Sequence, residues 1–116
     1  MDAHKLLKSF GYAFYGIWTA FNEQNMRIHM ISALIVIIAG VFTGLTNIEW
    51  MIIILVITLV IGAEMINTAI ESVVNLASPD IHPLAKQAKD VAAGAVLVFA
   101  LASVIIGLLI FLPKWF

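Results

Sequence analysis

Apolar and polar positions divide the chain into one mixed stretch and three long apolar ones. Over residues 2–22, Leu6, Leu7, Phe10, Phe14, Ile17, Trp18 and Phe21 recur at steps of one, three and four, while Lys5, Lys8 and Ser9 fall elsewhere. That period predicts a helix with one apolar face. With Tyr12, Tyr15 and Trp18 as headgroup-level anchors, it reads as an amphipathic helix lying in a membrane interface. The patch Glu23-Gln24-Asn25-Met26-Arg27-Ile28-His29 reads as the turn into the membrane. Residues 30–48 are uncharged and predict a first span over about 28–45, with Gly40 and Gly44 as a pair that lets a neighbouring helix approach. Leu45-Thr46-Asn47 reads as a tight connection to a second span over about 49–76. Ser78-Pro79-Asp80-Ile81-His82-Pro83 is a loop, with Pro83 suited to the first turn of a new helix. The third span, about 84–112, contains the uncharged run 91–113.

Composition supports an all-α integral membrane protein with one domain over residues 1–116. Hydrophobic residues make up 63% of the 116 and charged residues 11%, the wrong balance for a soluble globule. A formal net charge of −1 leaves no basic patch for nucleic acid. The absence of cysteine excludes disulfides and thiolate chemistry. No small-residue cleavage site follows the opening lysines, so no cleaved signal peptide is expected. With three spans, Lys5, Lys8, Arg27, Lys86 and Lys89 fall on one side and Lys114 on the other. The positive-inside rule then places the N-terminus in the cytoplasm and the C-terminus outside a cell membrane.

Within the second span, Glu64, Asn67, Thr68 and Glu71 stand at spacings of three, four and seven, and so share one helix face. Residues 50–63 before them are uncharged, so Glu64 has no short path to water. An acidic side chain near the membrane centre costs about 3 kcal/mol on insertion scales, and such residues mark function. Glu64 and Glu71 lie about 10 Å apart along the axis and cannot chelate one ion together. A magnesium ion near Glu71 needs another carboxylate and phosphate oxygens, and topology makes Glu23 the nearest candidate. Lys89 supplies a point charge for phosphate, with Asp90 beside it to orient that lysine or contact a ligand hydroxyl. Glu64, deeper, suits a general base, with Asn67 one turn away to hold its orientation. This layout fits phosphoryl transfer to a lipid alcohol. Neither a GxxxxGK[ST] loop nor a GxGxxG turn is present to identify a nucleotide fold.

The segment Glu64-Met65-Ile66-Asn67-Thr68-Ala69-Ile70-Glu71, followed by Ala85-Lys86-Gln87-Ala88-Lys89-Asp90 and the small run Ala92-Ala93-Gly94-Ala95-Val96, resembles the prokaryotic diacylglycerol kinase family. Asn22-Glu23 and Gly11-Tyr12 match as well, so the resemblance covers nearly the whole chain. It implies a homotrimer of three-span subunits with shared active sites, phosphorylating a membrane lipid alcohol with magnesium and ATP. By position, Glu64 resembles the proton acceptor, Asn67 its polar partner, and Glu23 and Glu71 the metal-bridging carboxylates. Lys5, Tyr12, Asp80, Ile81, His82, Lys89 and Asp90 resemble nucleotide contacts. His82-Pro83-Leu84-Ala85-Lys86 and Glu49-Trp50-Met51-Ile52-Ile53 resemble the Gram-positive branch, which is similar to undecaprenol kinases. Asn75 stands where an aspartate is usual, and Lys5 where Gram-negative members carry arginine, which removes bidentate phosphate recognition there.

The expected function is therefore an ATP-dependent lipid kinase acting on undecaprenol, with diacylglycerol as the alternative acceptor. A small proton-coupled transporter is the rival from another class, since one intramembrane glutamate also serves such carriers. A non-catalytic scaffold is the third reading. Lys86 and Asp90, four apart, also suit a plain surface ion pair. His4, His29 and His82 are scattered and receive no metal, although His82 suits the nucleotide loop.

Overall fold

The computed structural model describes residues 2–116, and Met1 lies outside the described residues. Four helices follow in order: α1 (Ala3–Phe21), α2 (Gln24–Thr43), α3 (Asn47–Ala77) and α4 (Pro83–Trp115). Among the described residues there is no strand. Helices α2, α3 and α4 are each long and apolar enough to cross a membrane. The apolar side chains of α1, including Leu7, Phe10, Phe14 and Trp18, are exposed, and of this helix only Ala20 is buried. They cover no core, as expected of a helix whose apolar face meets lipid.

Each helix end has a local cause. Asp2 Oδ1 accepts from the His4 N–H at 3.0 Å and caps α1. Gly44, at φ +79°, closes α2 in the left-handed conformation that glycine adopts without strain. Thr46 and Glu49 form a reciprocal capping box at the start of α3, with bonds of 3.2 and 2.9 Å. His82 Nδ1 accepts from the Leu84 N–H at 3.1 Å to cap α4, and Pro83 occupies its first turn.

One expectation is corrected. The patch at residues 23–29 is not a turn; only Asn22 and Glu23 separate α1 from α2, and the helix runs from Gln24. Met26 is fully buried while Gln24, Asn25 and Arg27 are exposed, so the patch is an amphipathic first turn whose polar face emerges from the membrane. The spans also differ from the expected 28–45, 49–76 and 84–112 at their ends, by four residues at the start of α2.

Helices α3 and α4 form the main packed pair, and α2 leans against them to give a flat molecule of 52 × 43 × 23 Å. Three contacts pin the α2–α3 turn end. Trp50 lies against Gly40, where an added Cβ would stand 2.8 Å from the ring. The Trp115 indole N–H donates to Thr43 Oγ1 at 2.9 Å, and Lys114 Nζ pairs with Glu49 at 3.0 Å. At the opposite end, Met26 and Ala20 are buried where α1 reaches α2 and α3. With 31 residues α3 is about 46 Å long, against a hydrocarbon core of about 30 Å. Measured from its pinned end, about 20 residues bring α3 to the level of Asn67, so Glu71 projects toward the headgroups.

Candidate active site at the C-terminal end of the second span

The face of α3 predicted from spacing is the face turned inward. Glu64 is 3% exposed and Asn67 4%, while Glu71, one turn further, is half-buried. They are the two buried polar side chains among the described residues. Asn67 does not hold Glu64 as expected. Its Nδ2 donates to Glu71 Oε1 at 3.2 Å, an i,i+4 pairing along the helix, and its Oδ1 is buried with no partner among the described residues. The neighbour of Glu64 is His29 of α2, whose Nε2 lies 3.5 Å from Glu64 Oε2.

His29, Glu64 and Asn67 share a pocket of about 240 Å³ walled by the small and apolar side chains of α4. A second cavity of about 300 Å³ runs from it between α2, α3 and α4. Its walls are almost wholly apolar, and it shares Ile28, His29 and Ala100 with the first. A polar floor thus joins a greasy slot, the shape required by a molecule with one polar end and one long apolar chain.

A third cavity, of about 300 Å³, lies at the α3–α4 loop and is lined by Asn75, Asp80, Ile81, His82, Lys86 and Lys89, among others. Asp80, Ile81, His82 and Lys89 therefore line one cavity. Asp90 does not orient Lys89; it pairs with Lys86 one turn back, as i,i+4 spacing favours. Ile81 is fully exposed, and His82 spends Nδ1 on the helix cap, which leaves Nε2 for a ligand. Glu23 is exposed at the start of α2 and makes no side-chain cap bond. Lys5 and Tyr12 are exposed on α1, and no bond joins their side chains to the α3 face among the described residues.

Among the described residues, no three His, Asp or Glu side chains form a self-contained metal cage. Magnesium does not require one, since it takes one or two protein carboxylates and fills its octahedron with water and phosphate oxygens. The half-buried Glu71 carboxylate and the orphaned Asn67 Oδ1 beside it are hard oxygen donors that fit this ion.

His29 was missed because its segment reads as a turn. Taken as helix, Met26, His29, Ala33, Val36 and Gly40 recur at steps of three and four, and each is buried or half-buried. That stripe is the available signal.

A family profile described as prokaryotic diacylglycerol kinase matches residues 11–111. The chain is 53% identical to an undecaprenol kinase of Bacillus subtilis over 97% of its own length and 93% of that relative's. It is 45% identical to a diacylglycerol kinase of Synechocystis over 96% of its length, spanning 65% of that longer relative. A diacylglycerol kinase of Escherichia coli is 29% identical over 87% of the chain and 84% of its own length. From the middle of α1 to the last turns of α4, the matched residues include every element that builds the pocket, and the chain belongs to the prokaryotic diacylglycerol kinase family.

Proposed function

We propose that this protein transfers the γ-phosphoryl group of ATP to the hydroxyl of undecaprenol, forming undecaprenyl phosphate at the cytoplasmic face of the cell membrane. The observation that carries the reading is the buried Glu64 carboxylate at the floor of a pocket continuous with an apolar slot. The acceptor is chosen by the undecaprenol kinase that is 53% identical.

The lipid chain lies in the slot and brings its hydroxyl to Glu64. Glu64 accepts the hydroxyl proton as the oxygen bonds to the γ-phosphorus, and the bond from that phosphorus to the β-bridging oxygen breaks to release ADP. Glu71, Asn67 and Glu23 are the residues that would hold a magnesium ion, which would supply charge compensation to the phosphate oxygens. Lys89 and the Asp80 to His82 loop hold the nucleotide, with Lys5 and Tyr12 of α1 closing over it. Lys86 and Asp90 fix the first turns of α4 beneath that loop. The excess of Lys and Arg at this end supports a cytoplasmic site and an outside C-terminus.

Three copies form the working assembly, each site shared between neighbours. Its support is the unfilled face of α3 and α4, where a Cβ added at Gly62 or Gly94 meets nothing within 4 Å. Asn67 also borders a groove on that face, and small residues there suit close helix approach.

The test is phosphate transfer from magnesium-ATP to undecaprenol and to diacylglycerol, side by side in mixed micelles. Preference for undecaprenol is expected. Preference for diacylglycerol would reassign the acceptor, and no transfer by folded protein to either would return the transporter reading.

A further inference from the structure

We infer that His29 is a positioning residue for Glu64, donating its Nε2–H to one carboxylate oxygen so that the other is left to receive the lipid hydroxyl. The inference rests on the reading of Glu64 as proton acceptor. Glu64 and His29 stand 3.5 Å apart, with side chains 4% and 20% exposed. This distance is long for a hydrogen bond, as such contacts commonly are before substrate binds.

Three features single His29 out. Among the described residues Glu64 makes no other polar side-chain contact, because the nearest amide on its own helix face, Asn67, is turned to Glu71. A buried carboxylate without a donor is strongly disfavoured, so the imidazole supplies what the second span lacks. Second, His29 is the polar member of the residues shared by the pocket and the apolar slot. A hydroxyl entering at the head of a chain lodged in the slot passes it. Third, Met26 lies one turn before His29 on the same face and is fully buried, which anchors the backbone that carries the ring.

The role is geometric. With Nε2–H on Oε2, the carboxylate is held against swinging, and Oε1 is left to meet the hydroxyl. The transferred proton goes from the lipid oxygen to Oε1. His29 gains and loses none.

The experiment uses the full chain in micelles and measures kcat, KM for ATP and lipid, and the thermal midpoint. His29→Leu removes the donor while keeping bulk, and His29→Ala removes both. Each should lower kcat by about tenfold to a hundredfold, the usual scale for a misplaced catalytic group, with KM for ATP unchanged. His29→Gln, whose amide N–H reaches a similar point, should recover kcat to within about threefold, the worth of a modest hydrogen-bond difference. A packing role alone would not produce that rescue. Wild-type kcat in a folded His29→Leu or His29→Ala variant overturns the inference, as does an equal loss in the glutamine and leucine variants. Glu64→Gln is the separate control. Full activity there sinks the proton-acceptor reading itself, whereas an inactive Glu64→Gln beside a fully active His29→Leu sinks only the role of His29.

Discussion

Replacing Asn67 by aspartate tests the pairing at the centre of the site. Asn67 Nδ2 lies 3.2 Å from Glu71 Oε1, and Asn67 is 4% exposed. Asn67→Asp exchanges that donor for a second carboxylate at the same separation. With an effective dielectric of about 20, two unit charges at this distance repel by about 5 kcal/mol. That figure is a ceiling, because the pair can bind a cation to relieve itself. Asn67→Leu is the control. It gives up a hydrogen bond to a charged group, worth about 1.5–3 kcal/mol, and removes a buried unpaired acceptor costing about 1–3 kcal/mol, so the two nearly cancel. Thermal unfolding in detergent should therefore show the aspartate variant several degrees below the leucine variant in chelator. Millimolar magnesium should restore most of the difference in the aspartate variant and do little for leucine. An aspartate variant as stable as wild type in chelator would refute the reasoning, because the two groups would then be neither close nor shielded from water.

Other outcomes follow from the same geometry. Glu71→Gln and Glu23→Gln should each weaken magnesium-ATP binding, read as a rise in KM for ATP, while Glu64→Gln should bind nucleotide normally and lose turnover; unchanged nucleotide affinity in the first two would move the metal elsewhere. Gly40→Val should lower the thermal midpoint, since its Cβ would fall 2.8 Å from Trp50 and overpacking of this kind costs about 1–3 kcal/mol; a neutral result would mean that the Trp50 ring swings aside freely. Gly94→Leu meets open space within one chain, so the proposed trimer should be lost in cross-linking or sedimentation, and an unchanged assembly would place the subunit contact on another face. Lys114→Met should cost less than about 1 kcal/mol, being a partly exposed ion pair, and a collapse of the fold would show that the clasp on Glu49 is worth more than its exposure suggests.

Length and order of the spans were legible because the bilayer is a simple solvent: long uncharged runs have one low-energy fate, and Pro, Gly and Asp mark where they stop. The stripe Glu64, Asn67, Glu71 was legible for the same reason, since its spacing is a property of one helix. The segment 23–29 conceals its helix because its polar residues resemble a turn, although a helix emerging from a membrane also turns polar on one side. The partners of these side chains were another matter. Asn67 holds Glu71 rather than Glu64, whereas the Lys86–Asp90 pair is one that i,i+4 spacing already suggests.

By itself, then, the sequence determined the class, the spans and the face of α3 that carries the carboxylates, because each depends on periodicity and transfer free energy along one helix. Only the tertiary structure decided that His29 of α2 reaches Glu64 and that the polar pocket opens into an apolar slot. It also decided that Thr43, Glu49, Lys114 and Trp115 clasp the far end. Those contacts depend on how the helices lean and rotate against one another. That is set by packing between helices, such as the Trp50 ring on Gly40 across the turn and Trp115 on Thr43, 72 residues away, which no single-helix pattern encodes.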